Sequence, residues 1–232
     1  MAKVGIIGAM DVEVELICKQ LEELHVERRH GSEFNIGLLE GVPTVVAMCG
    51  DGKVNAALCA HTLINAYGVS CVINTGIAGA LDKRLSIGDF VVSTDAVEHD
   101  MDVTGLGYAP GLNPYLDIIA FPADLRLRKL AMEAIREIVP NALACEGRIA
   151  SGDQFVCTKE PRSRIVDQFG AVCCEMEGAA IAHTCYLADV PYVVIRVISD
   201  DANSSSSMDY PTFKLQTSHL GAGVVRAMVA KL

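Results

Sequence analysis

Residues 192–200 of the chain read YVVIRVISD, and this stretch points to the fold class. The sequence predicts a strand over 192–198, because a continuous apolar run is typical of a strand covered on both faces within a parallel sheet. Arg196 interrupts the run, and Ser199 with Asp200 ends it. A buried arginine needs a partner. The strand therefore either contains a structural ion pair or carries polar side chains to a ligand.

Strand-like and helix-like segments alternate outward from this stretch along the whole chain. The predicted strands are 3–7, 33–39, 42–48, 69–74, 88–93, 144–149, 171–174 and 192–198. The predicted helices are 14–24, 56–67, 123–138, about 161–169, 178–188 and 212–231. A hairpin signal at Glu40-Gly41 adds an antiparallel pair. The pattern predicts one α/β domain over 1–232, with a mixed, mostly parallel sheet covered by helices on both faces.

The composition argues against several functional classes. Lys and Arg number 19 against 29 Asp and Glu, a net charge of −10 without a basic stripe, so nucleic-acid binding is not expected. Although 51% of the residues are hydrophobic, no apolar run approaches the ~18 residues of a membrane span. The start of the chain lacks the pattern of a secretory signal, so a cytoplasmic location is expected. The nine cysteines are odd in number and lie mostly in apolar runs, which indicates buried thiols.

Four strand-to-helix junctions carry the candidate chemistry, because ligands of open α/β sheets bind outside the carboxyl ends of the strands. They are GAM (8–10) with Glu13, TGIAG (75–79), EME (175–177) and RVISD (196–200). Arg196 and Asp200 either face a ligand or serve the structure, as an ion pair and a helix-capping loop. Glu175 and Glu177 either bind a ligand or stabilise the positive N-terminus of the next helix.

Two further motifs indicate chemistry only weakly. GDGK (50–53) lies between a strand and a helix but matches neither the dinucleotide nor the P-loop pattern. The next strand also ends in Asn74, where a dinucleotide site would need an acidic residue for the ribose. HDMD (99–102) resembles a metal-ligand cluster, yet no second cluster accompanies it. Hydrogen bonding within that loop is the favoured interpretation, and no metal site is predicted.

Five motifs, in register along essentially the whole chain, resemble one family. They are GIIGAM (5–10) with Glu13, NTG (74–76), SGDQF (151–155), EME (175–177) and RVISD (196–200). The combination is similar to the 5'-methylthioadenosine/S-adenosylhomocysteine nucleosidases of the purine nucleoside phosphorylase superfamily. The resemblance implies a homodimeric N-ribosyl hydrolase with the nucleoside phosphorylase-like fold. Such an enzyme cuts adenine from 5'-substituted adenosine nucleosides and uses no metal or organic cofactor.

The resemblance implies catalytic roles at four positions. Glu13 matches the base for the attacking water, with Arg196 close by. Asp200 matches the acid that protonates adenine N7, and Ser199 matches the residue that helps to hold it. Donation near neutral pH requires the pKa of Asp200 to rise by about 3 from ~3.9, equivalent to about 4 kcal/mol. Burial beside an apolar strand and an aromatic ring can provide a change of that size.

The resemblance also implies the residues that bind substrate. Glu177 grips the ribose hydroxyls with Met176 under the sugar, Phe155 stacks on adenine, and the backbone of Val156 reads the purine edge. The remaining members of this set are Glu175, Ile77, Ala78 and Gly79. An apolar subsite for the 5' substituent is expected from Met10, Tyr210 and Phe213, closed by Val103 and Leu106 of the neighbouring subunit.

Two positions bear on the reaction that the pocket favours. Asn74 is neutral where the superfamily's phosphorylases carry an arginine, and Glu13 would repel a phosphate, so water is the expected nucleophile. Ile77 departs from the serine that is common in the family, which bears on how water or ribose is positioned. The alternatives are an aminodeoxyfutalosine nucleosidase, a phosphate-dependent phosphorylase and a nucleoside-binding protein without catalysis.

Overall fold

The computed structural model describes residues 3–200 and 210–232, with the side chains of 210–216 outside that description. Strand β10 (Tyr192–Asp200) is buried along its whole length. It pairs in parallel with β5 (Cys71–Ala80) and in antiparallel with β6 (Phe90–Glu98). The predicted buried strand is confirmed and continues to Asp200, so this carboxylate stands at the end of a strand rather than in a loop.

The described strands form a single mixed sheet. In chain order the others are β1 (Val4–Gly8), β2 (Glu22–Arg29), β3 (Ser32–Leu39), β4 (Val42–Met48), β7 (Ala120–Pro122), β8 (Ala144–Ser151) and β9 (Cys173–Glu175). The order is β10-β6-β8-β9-β5-β1-β4-β3-β2, with β7 on β6, and β10 also pairs with β5. The β5–β10 pairing closes five strands into a ring, from which β1, β4, β3 and β2 extend.

The strand directions agree with a mixed sheet. The parallel pairs are β1–β4, β1–β5, β5–β10, β6–β8 and β8–β9. The antiparallel pairs are β2–β3, β3–β4, β6–β10, β5–β9 and β6–β7. Antiparallel pairing therefore takes an equal share among the described strands, more than the expectation of a mostly parallel sheet. The antiparallel pairs come from the β2–β3–β4 meander, from the short strands β7 and β9, and from β6 beside β10.

Helices cover both faces of the sheet, as predicted. They are α1 (Asp11–Cys18), α2 (Lys53–Tyr67), α3 (Leu125–Ile138), α4 (Lys159–Phe169), α5 (Gly178–Leu187) and α6 (Tyr210–Val229). Apolar side chains of α2 and α5 share one core, and those of α1, α3 and α6 share the other. Ile165 and Phe169 of α4 pack in a third, smaller cluster. Within the described ranges, none of the helices has the length and apolarity that a bilayer crossing requires.

The predicted helix over 14–24 is wrong in its second half. Helix α1 ends at Cys18, and the chain then forms β2, an edge strand paired only with β3 among the described strands. The side chains of β2, EELHVERR, are exposed at nearly every position. No buried face therefore requires the strong apolar alternation by which a strand is identified in a sequence. Leu24, taken as part of the helical stripe, is 49% exposed. Strand β7 was also missed, because three residues carry too little pattern.

Replacement of Gly37 by alanine tests how closely β2 is held against β3. A Cβ at Gly37 would stand 2.5 Å from the backbone oxygen of Glu22, which cannot rotate away. We expect Gly37→Ala to lower the free energy of unfolding by about 1–3 kcal/mol in urea titrations. Gly223→Ala is the matched control, because its Cβ would make an ordinary 3.4 Å contact with Ile138 within a helix. It should leave stability equal or raised by up to ~1 kcal/mol. Equal effects of the two changes would contradict the close approach.

Candidate active site

A cleft lies where β1, β5, β9 and β10 end. The empty space between its walls, including the part open to solvent, is about 570 Å³. The predicted site residues that line it are Met10, Glu13, Ile77, Ala78, Gly79, Phe155, Val156, Glu175, Met176, Glu177, Ser199 and Asp200. Ala9, Asp51, Gln154 and Cys174 line it as well. Segments far apart in sequence therefore converge on one cleft.

Glu13 is held at one side of this cleft by the main chain. It lies in the first turn of α1, and its carboxylate accepts N–H bonds from Ala9 (2.7 Å), Met10 (3.0 Å) and Ile77 (3.0 Å). A Cβ on Gly76 would approach the carboxylate to 2.7 Å, so glycine is required there. Burial raises the pKa of Glu13, and the backbone bonds and the charge of Arg196 oppose that rise.

Arg196 lies beneath the cleft, in an ion pair with Glu175. Its guanidinium also donates to Asn74 Oδ1 at 2.6 Å. Burial opposes ionisation of Glu175, but Arg196 and the Ser151 hydroxyl outweigh it, and the pKa of Glu175 is held below its ordinary value. The structural ion pair that the sequence left open for Arg196 is therefore present. Glu175 also caps α5, accepting from the N–H groups of Glu177 (3.0 Å) and Gly178 (2.8 Å).

The surroundings of Glu177, in contrast to those of Glu175, favour its protonated form. Its carboxylate lines the cleft and accepts an N–H bond of 2.7 Å from Gly52, in the loop that precedes α2. Burial, followed by the charge of Glu175, raises the pKa of Glu177 to about 8. Two glutamates separated by one residue thus differ in charge state near neutral pH, because Arg196 pairs with Glu175.

Asp200 forms the other side of the cleft. Its Oδ1 accepts from the Ser199 hydroxyl at 3.1 Å, and its Oδ2 accepts from Arg162 Nη2 at 2.7 Å. A Cβ on Gly79 would come within 2.9 Å of Asp200 Oδ2, so β5 approaches this carboxylate as closely as a backbone can. Both ion-pair side chains are about 10% exposed. Arg162 was not identified from the sequence, where it belongs to a helix with ordinary charged faces.

The apolar part of the cleft adjoins Asp200. Phe155 and Val156 follow β8, and Met176 follows β9. Phe155 is 55% exposed, so its ring offers a face to a ligand. Asp51 was noted in the sequence within a weak phosphate-loop motif and lines the cleft instead. Cys174, one of the nine cysteines, is 7% exposed and also borders the cleft.

Four residues that were predicted to bind the 5' substituent are not among the described residues that line the cleft. Val103 and Leu106 lie in and beside a 3-10 helix (Thr104–Leu106), and Leu106 is 77% exposed. They are outside the cleft lining of this chain, and their predicted place was in a neighbouring subunit. Tyr210 and Phe213 belong to α6, but their side chains lie outside the described residues.

The two weak motifs are used within the protein. In GDGK, the Lys53 backbone N–H donates to Asp153 (2.8 Å) and the ammonium donates to Asp100 (2.7 Å). Asp100 also accepts from the N–H of Asp153 at 3.0 Å. The predicted bonding within the 99–102 loop is therefore wrong for Asp100, which joins its loop to two other segments, whereas Asp102 does accept locally from the N–H of Thr104 at 2.9 Å. Among the residues that the structure covers, no group of three or more His, Cys, Asp or Glu could hold a metal ion.

Comparisons with known proteins agree with this geometry. Residues 3–230 match the model of the Phosphorylase superfamily. The chain is 39% identical over 252 aligned residues to the 5'-methylthioadenosine/S-adenosylhomocysteine nucleosidase of Treponema pallidum, covering 99% of this chain and 93% of that protein.

Solved structures give the same family. The nucleosidase of that name from Neisseria meningitidis, in complex with methylthio-immucillin-A, superposes with a TM-score of 0.95 at 37% identity, covering 100% of both chains. The futalosine hydrolase of Helicobacter pylori superposes with a TM-score of 0.94 at 34% identity, covering 100% of this chain and 98% of that one. The single-domain α/β fold is thereby confirmed. By sequence and structure, the chain belongs to the 5'-methylthioadenosine/S-adenosylhomocysteine nucleosidase family of the phosphorylase superfamily.

Proposed function

We propose that the protein hydrolyses the N-glycosidic bond of 5'-methylthioadenosine and S-adenosylhomocysteine, releasing adenine and the 5-thio-substituted ribose. The observation that carries the proposal is a pair of carboxylates, from α1 and β10, that line one cleft beside β5. Glu13 accepts a hydrogen bond from the N–H of Ile77, and Asp200 lies against Gly79, two residues further along β5. An acid and a base in one cleft are the two groups that hydrolysis of a glycosidic bond requires.

Glu13 serves as the base in this proposal. Its carboxylate takes a proton from the water that attacks C1', while the C1'–N9 bond breaks and positive charge develops on the ribose. The raised pKa of the buried group favours accepting that proton. Glu177 binds the ribose hydroxyls. Because these hydroxyls donate hydrogen bonds to its carboxylate, they favour the ionised form of Glu177.

Asp200 serves as the acid. Its proton passes to adenine N7 as the electron pair of the broken bond moves into the purine, so that adenine leaves as a neutral base. The Ser199 hydroxyl donates to Oδ1 of Asp200 at 3.1 Å, and this contact orients the carboxyl group. Phe155 stacks on the purine, the backbone of Val156 reads its edge, and Met176 lies under the sugar.

Water is favoured over phosphate because the donors an anion would need are already used. Backbone N–H groups of adjacent loops are the usual anion-binding groups of such folds. Here the N–H groups of Ala9, Met10 and Ile77 all point at the Glu13 carboxylate. A phosphate dianion would have to displace a buried negative group, whereas a water can accept or share these contacts.

The alternative substrate is aminodeoxyfutalosine, and the similarity to the futalosine hydrolase of H. pylori is the observation in its favour. Asp51 lines the cleft in the loop whose Gly52 N–H bonds Glu177. Side-by-side rates on the three nucleosides distinguish the substrates. Cytoplasmic methionine salvage is the pathway we propose.

A second copy of this chain is the partner that we propose, as a homodimer. Exposed apolar side chains cluster on α2 and α5, among them Val54 (79%), Leu58 (41%) and Leu187 (62%). A groove between the two helices continues past Lys53 and Asp153 to the rim of the cleft. A partner on this face brings Val103 and Leu106 of the neighbouring subunit within reach of the 5' substituent.

Adenine release measured with and without phosphate tests the proposed reaction. We expect turnover of 5'-methylthioadenosine and S-adenosylhomocysteine without phosphate, and slower turnover of aminodeoxyfutalosine. Asp200→Asn and Glu13→Gln should each lower kcat/KM by ~10²–10⁴-fold, the usual contribution of an acid or base. Asp189→Asn is the matched control, at an exposed turn with φ 52° that asparagine tolerates. Strictly phosphate-dependent turnover would overturn the proposal.

Stability as a function of pH tests the charge state of Glu177. Its pKa is about 8 in the folded protein and ~4.3 when unfolded, so the folded state binds the extra proton between these values. Stability should fall as pH rises from about 5 to 8, by up to ~1.4 kcal/mol per pH unit from this group. Urea titrations of Glu177→Gln should show a shallower fall. Glu133→Gln, on an exposed face of α3, should keep the wild-type slope, and a wild-type slope in Glu177→Gln contradicts the assignment.

Sedimentation velocity tests the dimer. Leu187→Asp introduces a charge into the apolar face of α2 and α5, so we expect a shift from the dimer to the monomer and a higher KM for 5'-methylthioadenosine. Leu125→Asp is the control, because Leu125 is 65% exposed on α3, at the other face of the sheet. It should stay dimeric. A monomeric wild type, or a dimeric Leu187→Asp variant, contradicts this interface.

A further inference from the structure

Arg162 is a buried cation that the proposed reaction does not use. It lies in α4, is 8% exposed, and sits beside the small apolar cluster that contains Ile165, Phe169 and Cys174. A buried charge is retained at a cost of several kcal/mol unless a partner offsets it. Its described ion-pair partner is Asp200, with Nη2 to Oδ2 at 2.7 Å.

The contact has a chemical consequence for Asp200. A guanidinium at hydrogen-bond distance favours the ionised carboxylate, whereas the proposed acid must carry a proton when the purine leaves. Proton donation then restores the carboxylate that Arg162 stabilises. The contact therefore has two effects. In the empty cleft it lowers the fraction of Asp200 that is protonated, and once Asp200 is protonated it makes the carboxyl group a stronger acid.

Three other described neighbours of Asp200 carry no charge that would offset this effect. Gly79 of β5 has no side chain, and Ser199, next to Asp200 on β10, contributes a neutral hydroxyl. Cys174 of β9 is a titratable neighbour, and burial, followed by the charge of Asp200, raises the pKa of its thiol to about 12. That thiol is neutral throughout the working range of pH.

Arg162 also reaches the segment that borders the purine. Its Nε points to the backbone oxygen of Val156 at 3.4 Å, a long contact beside the strong bond to Asp200. One side chain on α4 thus touches both the proposed acid and the loop that reads the purine edge. A ligand in this part of the cleft meets Asp200 and Val156 in positions that Arg162 helps to set.

We propose that Arg162 is a positioning residue that keeps Asp200 ionised in the empty cleft and so couples purine binding to the uptake of one proton. This inference rests on the proposed function, in which Asp200 protonates the base. The proton comes from solvent, resides on Asp200 while the purine is bound, passes to N7 as the glycosidic bond breaks, and leaves with adenine.

Calorimetric titration with 9-methyladenine, in which N7 carries no proton and no glycosidic bond can be cut, measures this proton at pH 7.5 in two buffers of different ionisation enthalpy. We expect an uptake close to one proton in the wild type, a smaller uptake in Arg162→Gln, and a wild-type value in Arg162→Lys. Asp200→Asn should abolish the uptake. Arg136→Gln, which removes an exposed charge on α3, is the matched control and should match the wild type. Equal uptake in Arg162→Gln and the wild type would overturn the proposal.

The pH profile of kcat/KM gives a second readout that a purely structural role would not move. Loss of the guanidinium should shift the alkaline limb upward by about one pH unit or more and lower kcat at its plateau, with rescue by Arg162→Lys. If Arg162→Gln does not fold, the absence of proton uptake by the wild type alone contradicts the coupling. The proposed function fails separately, if neither substrate yields adenine without phosphate.

Discussion

The buried ion pair of Arg196 and Glu175 is the constraint on which the site depends. Arg196 is 2% exposed, and removal of one member of such a pair typically costs ~3–5 kcal/mol, because the other charge is left uncompensated. Glu175 also binds Ser151 and two backbone N–H groups of the α5 terminus. Arg196 binds Asn74, whose amide donates to Ile7 O at 2.9 Å. The network therefore ties β1, β5, β8, β9 and β10 to one another beneath the cleft.

This arrangement explains how several acids coexist in a small cleft. Arg196 compensates Glu175 beneath the surface and moderates the charge of Glu13, while Glu177 retains a proton near neutral pH. Arg162 pairs with Asp200 at the opposite side. The carboxylates thus differ in their electrostatic surroundings, and the proposed division of labour between base, acid and sugar-binding group follows from those surroundings rather than from residue type.

The sequence was informative where burial makes a continuous apolar run, as in β10, and where a polar residue interrupts one, as Arg196 does. It failed for β2, an exposed edge strand whose stability comes from backbone pairing with β3 rather than from buried side chains. The rule for strand ends pointed to 8–10 with Glu13, 75–79, 175–177 and 196–200, whereas Phe155 and Val156 came from the family resemblance. Arg162 could not be found in this way, because the spacing of charges on α4 does not distinguish a cation that turns inward from one that faces solvent.

Main-chain donors hold Glu13 and Glu177, and this has a consequence for how the cleft can change over time. The N–H groups of Ala9, Met10, Ile77 and Gly52 are present whatever side chain those positions carry, within the space available. Substitutions at Met10 and Ile77 can therefore alter the shape and polarity of the pocket while the carboxylate stays anchored. A change of ligand preference and retention of the anchored carboxylates are therefore separable in this fold, and Ile77, where the family resemblance leads one to expect serine, is a position of this kind.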